Sequence, residues 1–317
     1  VSDCKNNASM TIDHKKETNS VFGGLIGSFT DTMNVIINPT ITLKNCENHG
    51  SLTITSSGSM SVGGIVGSVH DAFNSTVNMI DTTNIWDLVQ VETKSCHIGG
   101  LIGNVTNNGA IKMVFDNCSN KAFIGSTSHE DNHEGGFIGK MNDNAKYTLD
   151  ISDCTNSGDI NGSGQDNYVG GFIGSVGRNR DGRIHLKNTI NLGSVTVNQS
   201  TSQSYLGGGF GSVEENPVMD FIIDSSYNYG NVESCEGCQA VSGGLCGWVD
   251  LVNDGTQFNM IVSNSMNNGS VTSTTRSQTT SCGLFCVSGK SKLHENIQIQ
   301  LFNSVNKGTV IGSSSYG

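Results

Sequence analysis

The residues best suited to metal or acid–base chemistry lie in one short stretch, His129-Glu130-Asp131-Asn132-His133-Glu134. Histidine and carboxylate side chains are common zinc ligands, and two histidines four residues apart share a face on a helix. The H-E-x-x-H order of helical zinc sites is absent, and the Ser- and Asn-rich surroundings before a Gly-Gly pair disfavour a helix. We therefore expect a solvated loop here, with no metal site and no cofactor.

Several acidic residues could serve polysaccharide cleavage, because solenoid enzymes of that class carry carboxylates along one face. They are Asp31, Asp71, Asp143, Asp181, Glu214 and Asp250. Each stands singly in a turn, where Asp is common because its side chain bonds to the turn backbone. No nucleophile elbow, phosphate-binding loop or dinucleotide fingerprint occurs. We expect no catalytic residue, and a polysaccharide-active solenoid enzyme is kept as an alternative.

The chain has 10 cysteines, which is many for a cytosolic protein and moderate for a secreted one. Cys4, Cys46, Cys118 and Cys154 precede a recurring Asn by two residues. In stacked layers, copies of one position lie about 4.8 Å apart, which a disulfide accepts. We therefore predict four bridges: Cys4–Cys46, Cys118–Cys154, Cys238–Cys282 and Cys246–Cys286. Cys96 has no obvious partner, and the alternative for Cys235-Glu236-Gly237-Cys238 is half of a zinc site.

N-glycosylation sequons are the other candidate sites. Their number is what chance predicts for a chain this rich in Asn, Ser and Thr. Turn or loop contexts favour Asn74, Asn161, Asn198 and Asn268, and the remaining candidates are Asn7 and Asn104. Asn117 also begins a sequon, but we expect Cys118 beside it to hinder a glycan. A eukaryotic chain would carry glycans at several of these positions, and a bacterial chain at none.

These residues are carried by a repeat of about 36 residues that runs from end to end of the chain. One series is an Asn, usually in an N-x-G unit: Asn6, Asn48, Asn84, Asn120, Asn156, Asn191, Asn228, Asn267 and Asn306. Another is a glycine unit: GGLIGSF from Gly23, GGIVGSV from Gly63, GGLIGNV from Gly99, GGFIGKM from Gly135, GGFIGSV from Gly170, GGGFGSV from Gly207, GGLCGWV from Gly243 and CGLFCVS from Cys282. The glycines suit sharp corners, left-handed turns and close backbone approach.

The repeat predicts an all-β protein. Segments such as Tyr147-Thr148-Leu149-Asp150-Ile151 alternate apolar and polar residues, as half-buried strands do. Each unit holds three such strands, which fits a parallel β-solenoid of eight to nine coils or an eight-bladed propeller. We favour the solenoid, because stacked copies of one Asn can bond to each other through their amides. The whole of 1–317 is then one elongated repeat domain.

The glycine units at this spacing resemble the GLUG motif, a repeat of adhesin-like surface and secreted proteins and of non-catalytic regions of IgA-cleaving proteases. The resemblance covers nearly the whole chain. It implies a surface-exposed β-solenoid outside the cell and carries over no catalytic residue.

The net charge of the chain limits the classes of partner that we expect. The formal net charge is -11 and only 17 residues are Lys or Arg, so we expect no nucleic acid partner. No apolar run is long enough to span a membrane. Both ends of the sequence lie within a repeat and show no polar cap. We therefore expect either that the chain is an excerpt from a longer protein or that its open strand edges pair end to end with other copies.

We therefore expect a non-enzymatic extracellular structural protein, a surface stalk or a filament subunit whose end coils stack head to tail on other copies. The alternative is an adhesin segment that binds glycans or cell-surface proteins.

Overall fold

The computed structural model describes residues 1–14, 18–30, 38–70, 74–85, 87–106, 109–141, 146–177, 181–214, 218–236, 238–251, 257–273, 279–288 and 297–312. These residues form strands and turns and no helix, and every strand pair is parallel. The chain winds as a β-solenoid of about 7 turns with ~36 residues per turn. The predicted solenoid is thereby confirmed over the propeller, because equivalent strands of successive coils stack into continuous sheets.

Five sheets, here called A to E in the order in which each coil visits them, run along the solenoid. Sheet A holds the recurring Asn in nine two-residue strands: Lys5–Asn6, Glu47–Asn48, Thr83–Asn84, Ser119–Asn120, Thr155–Asn156, Ile190–Asn191, Tyr227–Asn228, Met266–Asn267 and Val305–Asn306. Sheet B comprises Met10–His14, Ser51–Ser56, Asp87–Thr93, Ile124–Gly125 with Thr127–Ser128, Ile160–Gly164, Val195–Ser200, Val232–Ser234, Val271–Ser273 and Val310–Gly312.

Sheets C and D lie before and after the Gly-Gly pair of each coil. Sheet C comprises Ser20–Gly23, Met60–Gly63, Cys96–Gly99, Asp131–Gly135, Asp166–Gly170, Gln203–Gly207, Gln239–Gly243 and Thr280–Cys282. Sheet D comprises Ile26–Thr30, Val66–His70, Ile102–Thr106, Ile138–Met141, Ile173–Val176, Phe210–Val213, Cys246–Asp250 and Phe285–Ser288. Sheet E comprises Thr40–Lys44, Ser75–Ile80, Ala110–Asp116, Lys146–Ser152, Gly182–Lys187, Val218–Asp224, Gln257–Ser263 and Ile297–Phe302.

Each coil thus has five strands where the sequence pattern indicated three. The glycine unit is a bend between two strands, since the chain reverses at Gly-Gly. The two-residue strand at the Asn is too short to produce an alternating pattern.

The bend of sheets C and D divides the interior into two apolar cores. Residues of sheets D and E fill the first core, where Tyr147, Leu149 and Ile151 alternate inward from one strand. Residues of sheets B and C fill the second core, including Leu52, Ile98 and Val169. Because the strands pair in register, like residues stack on like residues in both cores.

The corner that leads from sheet E into sheet A has a left-handed residue in every coil. These residues have φ between 47 and 55° and are Asp3, Asn45, Asp81, Asn117, Asp153, Asn188, Ser225, Asn264 and Asn303. Asn and Asp tolerate this conformation better than other residues with a side chain. The glycines that we expected to adopt it, such as Gly158 and Gly193 in N-x-G units, do not have a left-handed φ.

Glycine is instead required in the Gly-Gly units because the next coil approaches their backbone closely. A Cβ on Gly100, the second glycine of its pair, would lie 2.2 Å from the carbonyl oxygen of Gly136 in the next coil. It would also lie 2.4 Å from the side-chain Oδ1 of Asn120. The second glycine is therefore the surface against which the Asn of the following coil packs.

We expect Gly100→Ala to lower the free energy of unfolding by about 2 kcal/mol or more, because backbone and a buried amide must both move. The control is Gly27→Ala, since a Cβ there meets no atom within 4 Å and should change stability by less than about 0.5 kcal/mol. Urea unfolding measures both variants. Equal destabilisation by the two would show that close packing is not the reason for glycine.

Candidate functional site

The most extensive polar feature inside the molecule is the column of Asn side chains in sheet A. Each Nδ2 donates to the Oδ1 of the Asn in the next coil, from Asn6 to Asn306, at distances of 2.7 to 3.1 Å. The members Asn48, Asn84, Asn120, Asn156, Asn191, Asn228 and Asn267 are buried. The predicted ladder is therefore present as one unbroken chain of amide hydrogen bonds.

From Asn120 to Asn306, each Asn of the ladder also donates to a carbonyl of its own turn. Nδ2 of Asn156 donates its second hydrogen to the carbonyl of Gly158 at 3.0 Å. The backbone carbonyl of Asn120 accepts from the N–H of Ser157 at 2.8 Å. All these donors and acceptors are satisfied away from water, which is the condition for burying an amide at low cost.

The ladder has a direction, because every amide donates toward the later coil. At one end, Asn6 keeps an Oδ1 that accepts only from the N–H of Ala8 among the described residues, at 3.1 Å. At the other end, Asn306 donates one hydrogen to Gly308 at 2.8 Å. Its second hydrogen corresponds to the one that bonds to the next coil elsewhere in the ladder. One end of the solenoid thus offers an acceptor and the other end a donor.

The cysteines pair differently from our prediction. Disulfides join Cys235 to Cys238 and Cys282 to Cys286, with Cα atoms 5.5 and 5.6 Å apart. The expected bridges Cys238–Cys282 and Cys246–Cys286 are wrong. Cys282 stands in register with Gly243, five residues beyond Cys238. Cys246 points into the first core, and its register partner is Phe285 rather than Cys286.

The expected bridges Cys4–Cys46 and Cys118–Cys154 are also absent, and all four residues are free thiols together with Cys96 and Cys246. Each repeat-position thiol donates to the carbonyl two residues earlier, as Cys154 does to Ser152 at 3.0 Å. Ser226 and Ser265 make the same bond in other coils. The position thus selects a small donor, thiol or hydroxyl, that bonds to a carbonyl of its own coil. Contacts with the neighbouring coil are made as well, since Cys118 Sγ lies 3.2 Å from the carbonyl oxygen of Met79 and Cys154 Sγ accepts from the N–H of Cys118 at 3.3 Å.

The histidine- and acid-rich stretch is not the solvated loop that we expected. Asp131–Gly135 is a sheet C strand, paired in register with Cys96–Gly99 and Asp166–Gly170. Strand alternation separates its members, so that Glu134 enters the second core while His133 faces sheet D. Among the described residues, no group of three or more His, Cys, Asp or Glu could hold a metal ion.

His133 makes a contact with Ser175 that resembles a nucleophile and its base. Its Nδ1 lies 2.7 Å from Oγ of Ser175, on the sheet D strand Ile173–Val176. Both side chains are at most 2% exposed, so a substrate cannot reach the pair without opening the layer between sheets C and D. Burial lowers the pKa of His133, and a smaller effect of Lys140 adds to it. The neutral ring is therefore a structural hydrogen-bond partner.

His133 belongs to a column of rings that the sequence did not reveal. Successive centroid distances are 5.2 Å for His97–His133, 4.5 Å for His133–Tyr168, 5.2 Å for Tyr168–Tyr205 and 4.5 Å for Tyr205–Trp248. The register of sheet C stacks the first four rings, and Trp248 joins them from the adjacent sheet D, where it is in register with Ser212. The sequence does not show the column, because the residue types differ from coil to coil. The rings cover one another's faces, so the column stabilises stacking and presents ring edges to its surroundings.

Two of the single acids come together beside this column. Glu214 and Asp250 each follow a residue of the register pair Val213–Val249 and so lie one coil apart. Burial, followed by the charges of Glu214, Asp166 and Asp250, raises the pKa of Tyr205 to about 12. Asp181 instead forms an exposed ion pair with Lys146. Asp31, Asp71 and Asp143 lie outside the described residues.

The sequon residues differ in accessibility. Asn7, Asn74, Asn198 and Asn268 are exposed, and Asn161 is half-buried. Asn104 is 9% exposed on a sheet D strand, so its amide is a poor glycan acceptor as the chain is folded. Asn117 is exposed, but its Nδ2 donates to Oδ1 of Asp81 at 2.7 Å, a bond that a glycan would disturb.

We expect intact mass spectrometry to verify the cysteine assignment. Alkylation under denaturing, non-reducing conditions should add six groups, one for each free thiol, and prior reduction should add the four remaining ones. Peptide mapping should recover the intra-coil links. Recovery of a Cys118–Cys154 peptide would contradict the assignment.

Asn156→Ala should lower the free energy of unfolding by about 2 to 4 kcal/mol. The change leaves the buried amides of Asn120 and Asn191 each short of a partner, and unsatisfied buried groups cost about 1–3 kcal/mol each. Asn268→Ala is the control, since Asn268 is exposed and outside the ladder. Urea unfolding of both variants tests this, and a ladder variant as stable as the control would show that the column carries no stability.

Comparison of the chain with protein-family models, curated proteins and solved structures finds no match. Among the described residues, no helix is long and apolar enough to cross a membrane. The resemblance to GLUG repeats therefore rests on the sequence motifs alone.

Proposed function

We propose that this protein is a non-enzymatic, extracellular structural element, a stiff stalk or filament subunit built by stacking coils. The observation that carries the proposal is the unbroken Asn ladder, which links the nine strands of sheet A through side-chain amide bonds. A net contribution of about 1 kcal/mol per bond is modest singly. Bending the rod at any coil would break a ladder bond together with the backbone pairs of five sheets.

Apolar side chains on the last described strands support the proposed stacking. On the last described strands, Ile299, Leu301 and Val310 are 37 to 47% exposed. Their register partners one coil earlier, Met260, Val262 and Val271, are fully buried. The same positions are therefore more exposed on the last described strands, and removing such apolar surface from water favours association.

Hydrogen bonding supports the head-to-tail direction. The donor at Asn306 complements the acceptor at Asn6, and the parallel edges of sheets A and B can continue into a second copy. A head-to-tail contact that does not close on itself gives an open filament. We therefore propose that the end faces bind other copies of this chain, which is the partner expected from the sequence.

The extracellular placement rests on the cysteines. Two disulfides are present among the described residues, and such bonds persist in oxidising compartments. Each closes a loop of only a few residues, so they reinforce single turns near the last coils. The exposed sequon residues would add protection if the secretory route glycosylates Asn.

Each of two alternative functions is supported by a specific observation. An adhesin segment would use the partly exposed edges of Tyr168 and Trp248, although their faces are covered by stacking. A polysaccharide-active enzyme would use the adjacent acids Glu214 and Asp250. Glycan-array binding by discrete rods would support the first alternative. Glycan cleavage that is lost in Glu214→Gln would support the second and defeat the structural proposal.

Negative-stain electron microscopy of the purified protein is the test. We expect fibres one solenoid wide with an axial repeat of about 40 Å, since stacked strands rise about 4.8 Å per coil. Leu301→Glu should abolish the fibres, because it places a charge in the apolar end contact. The matched control is Leu192→Glu, whose residue is 52% exposed on the side of the rod. Discrete rods in the unmodified protein would eliminate the filament and leave a stalk or adhesin segment.

A further inference from the structure

Glu134 occupies a position that is apolar in the neighbouring coils. It stands in register between Ile98 and Val169, and these are followed by Val62 on one side and Leu206 on the other. Its side chain is 0% exposed, in the second core. A carboxyl group in such a column is a local exception to a repeating pattern, and the surroundings show how it is accommodated.

The facing strand of sheet B supplies the space. Gly162 lies opposite, in register with Val197 of the next coil. A Cβ on Gly162 would lie 3.0 Å from Oε2 of Glu134 and 2.9 Å from Cγ2 of Val169. A glycine on one sheet thus compensates for the longer polar side chain on the other, and the two exceptions form one site.

Polar groups converge on this site. Ser126 Oγ donates to Oε1 of Glu134, while Oε2 is buried with no hydrogen-bond partner among the described residues. Cys96 Sγ donates to Oδ1 of Asn132 at 2.7 Å. Burial raises the pKa of Glu134 to about 8, against a smaller opposing effect of the Ser126 hydrogen bond.

Among the described residues, no positive charge acts on Glu134. Cys96 interacts with it from its own sheet, and Ser126 and Gly162 face it from the side of sheet B. Thr93 bonds to Cys96, and Asn167 bonds to Asn132. The thiol of Cys96 can only add negative charge, and burial raises its pKa as well. His97, His133 and Lys140 interact with one another on the opposite side of sheet C. An ionised Glu134 would be a buried charge without a counterion, which is strongly unfavourable.

We propose that Glu134, Ser126 and Gly162 form an alkali-sensitive joint in the middle of the solenoid, at which the coil opens when Glu134 loses its proton. The neutral carboxyl packs in the core and is held by Ser126. The carboxylate gains water only if the strands Ile124–Gly125 and Asp131–Gly135 separate. This device joins Glu134 and Ser126 of one coil to Gly162 of the next coil, and it does not depend on whether copies stack end to end.

The direction of the pH effect follows from linkage. Below the ordinary pKa of 4.5 the carboxyl is protonated in both the folded and the unfolded chain. Between there and about 8 only the unfolded chain releases the proton, so stability falls as pH rises. The buried histidines act oppositely. The pKa of His97 is lowered to about 3, mainly by burial, so its contribution is lost as pH falls below about 6.5.

Hydrogen exchange read by mass spectrometry, corrected for intrinsic rates, is the experiment. Between pH 6 and pH 8, opening linked to one proton rises about tenfold per pH unit. Peptides covering 124–141 should therefore lose about 100-fold in protection. Glu134→Gln should hold that loss below about threefold. The matched control, Glu233→Gln, makes the same change on the exposed face of a sheet B strand and should behave as the unmodified protein.

A loss of protection spread evenly over distant coils, or an equal loss in Glu134→Gln, would overturn the proposal. A second measurement needs no variant. In protein labelled at the Glu carboxyl carbons, one resonance should titrate near pH 8. Titration of every Glu below about pH 5.5 would also overturn the proposal, even if Glu134→Gln failed to fold.

Discussion

In-register stacking is the constraint on which the rest of this structure depends. A residue must fit not only its own coil but also the residue at the same position about 4.8 Å above and below it. Asn meets this condition unusually well, because its amide is a donor on one side and an acceptor on the other. Asn156 can therefore bond to Asn120 and Asn191 at once. A column of buried carboxylates could not do this, since like charges would repel and none could donate.

The same constraint explains why the two sequence motifs occur together. The Gly-Gly bend reaches the centre of each coil, where the Asn of the next coil packs against its second glycine. A side chain there would displace the amide, and without the amide the bend would leave a buried gap beside the ladder. Asn and Gly are thus two halves of one contact, which accounts for their common period. The left-handed corner before sheet A completes the unit by aiming the Asn inward.

Features that repeat could be predicted from the sequence, and features that depend on side-chain direction could not. The Asn series and the alternation at Tyr147, Leu149 and Ile151 lead directly to stacked parallel strands. The spacing of Cys118 and Cys154 satisfies the distance for a disulfide, yet both remain thiols that donate to backbone carbonyls, of Met79 and Asp116 for Cys118 and of Ser152 for Cys154. The ring column from His97 to Trp248 and the pairing of Glu134 with Gly162 were missed, because their residue types do not repeat. Register within a sheet and packing between facing sheets bring such residues together.

Regular stacking also limits where chemistry can arise. Catalytic groups need unlike residues around a space, whereas a solenoid coil places like residues in contact and fills the space between them. The informative positions are consequently those that depart from the repeat. Cys282 and Cys286 replace the first and third glycines of the last unit with a disulfide, and Glu134 replaces an aliphatic residue with an acid. A departure that lacked compensation would destabilise its own coil and both neighbours. Because Glu134 is matched by Gly162 and Ser126, its carboxyl group is an integrated part of this coil, and its charge state is coupled to the packing of the rod.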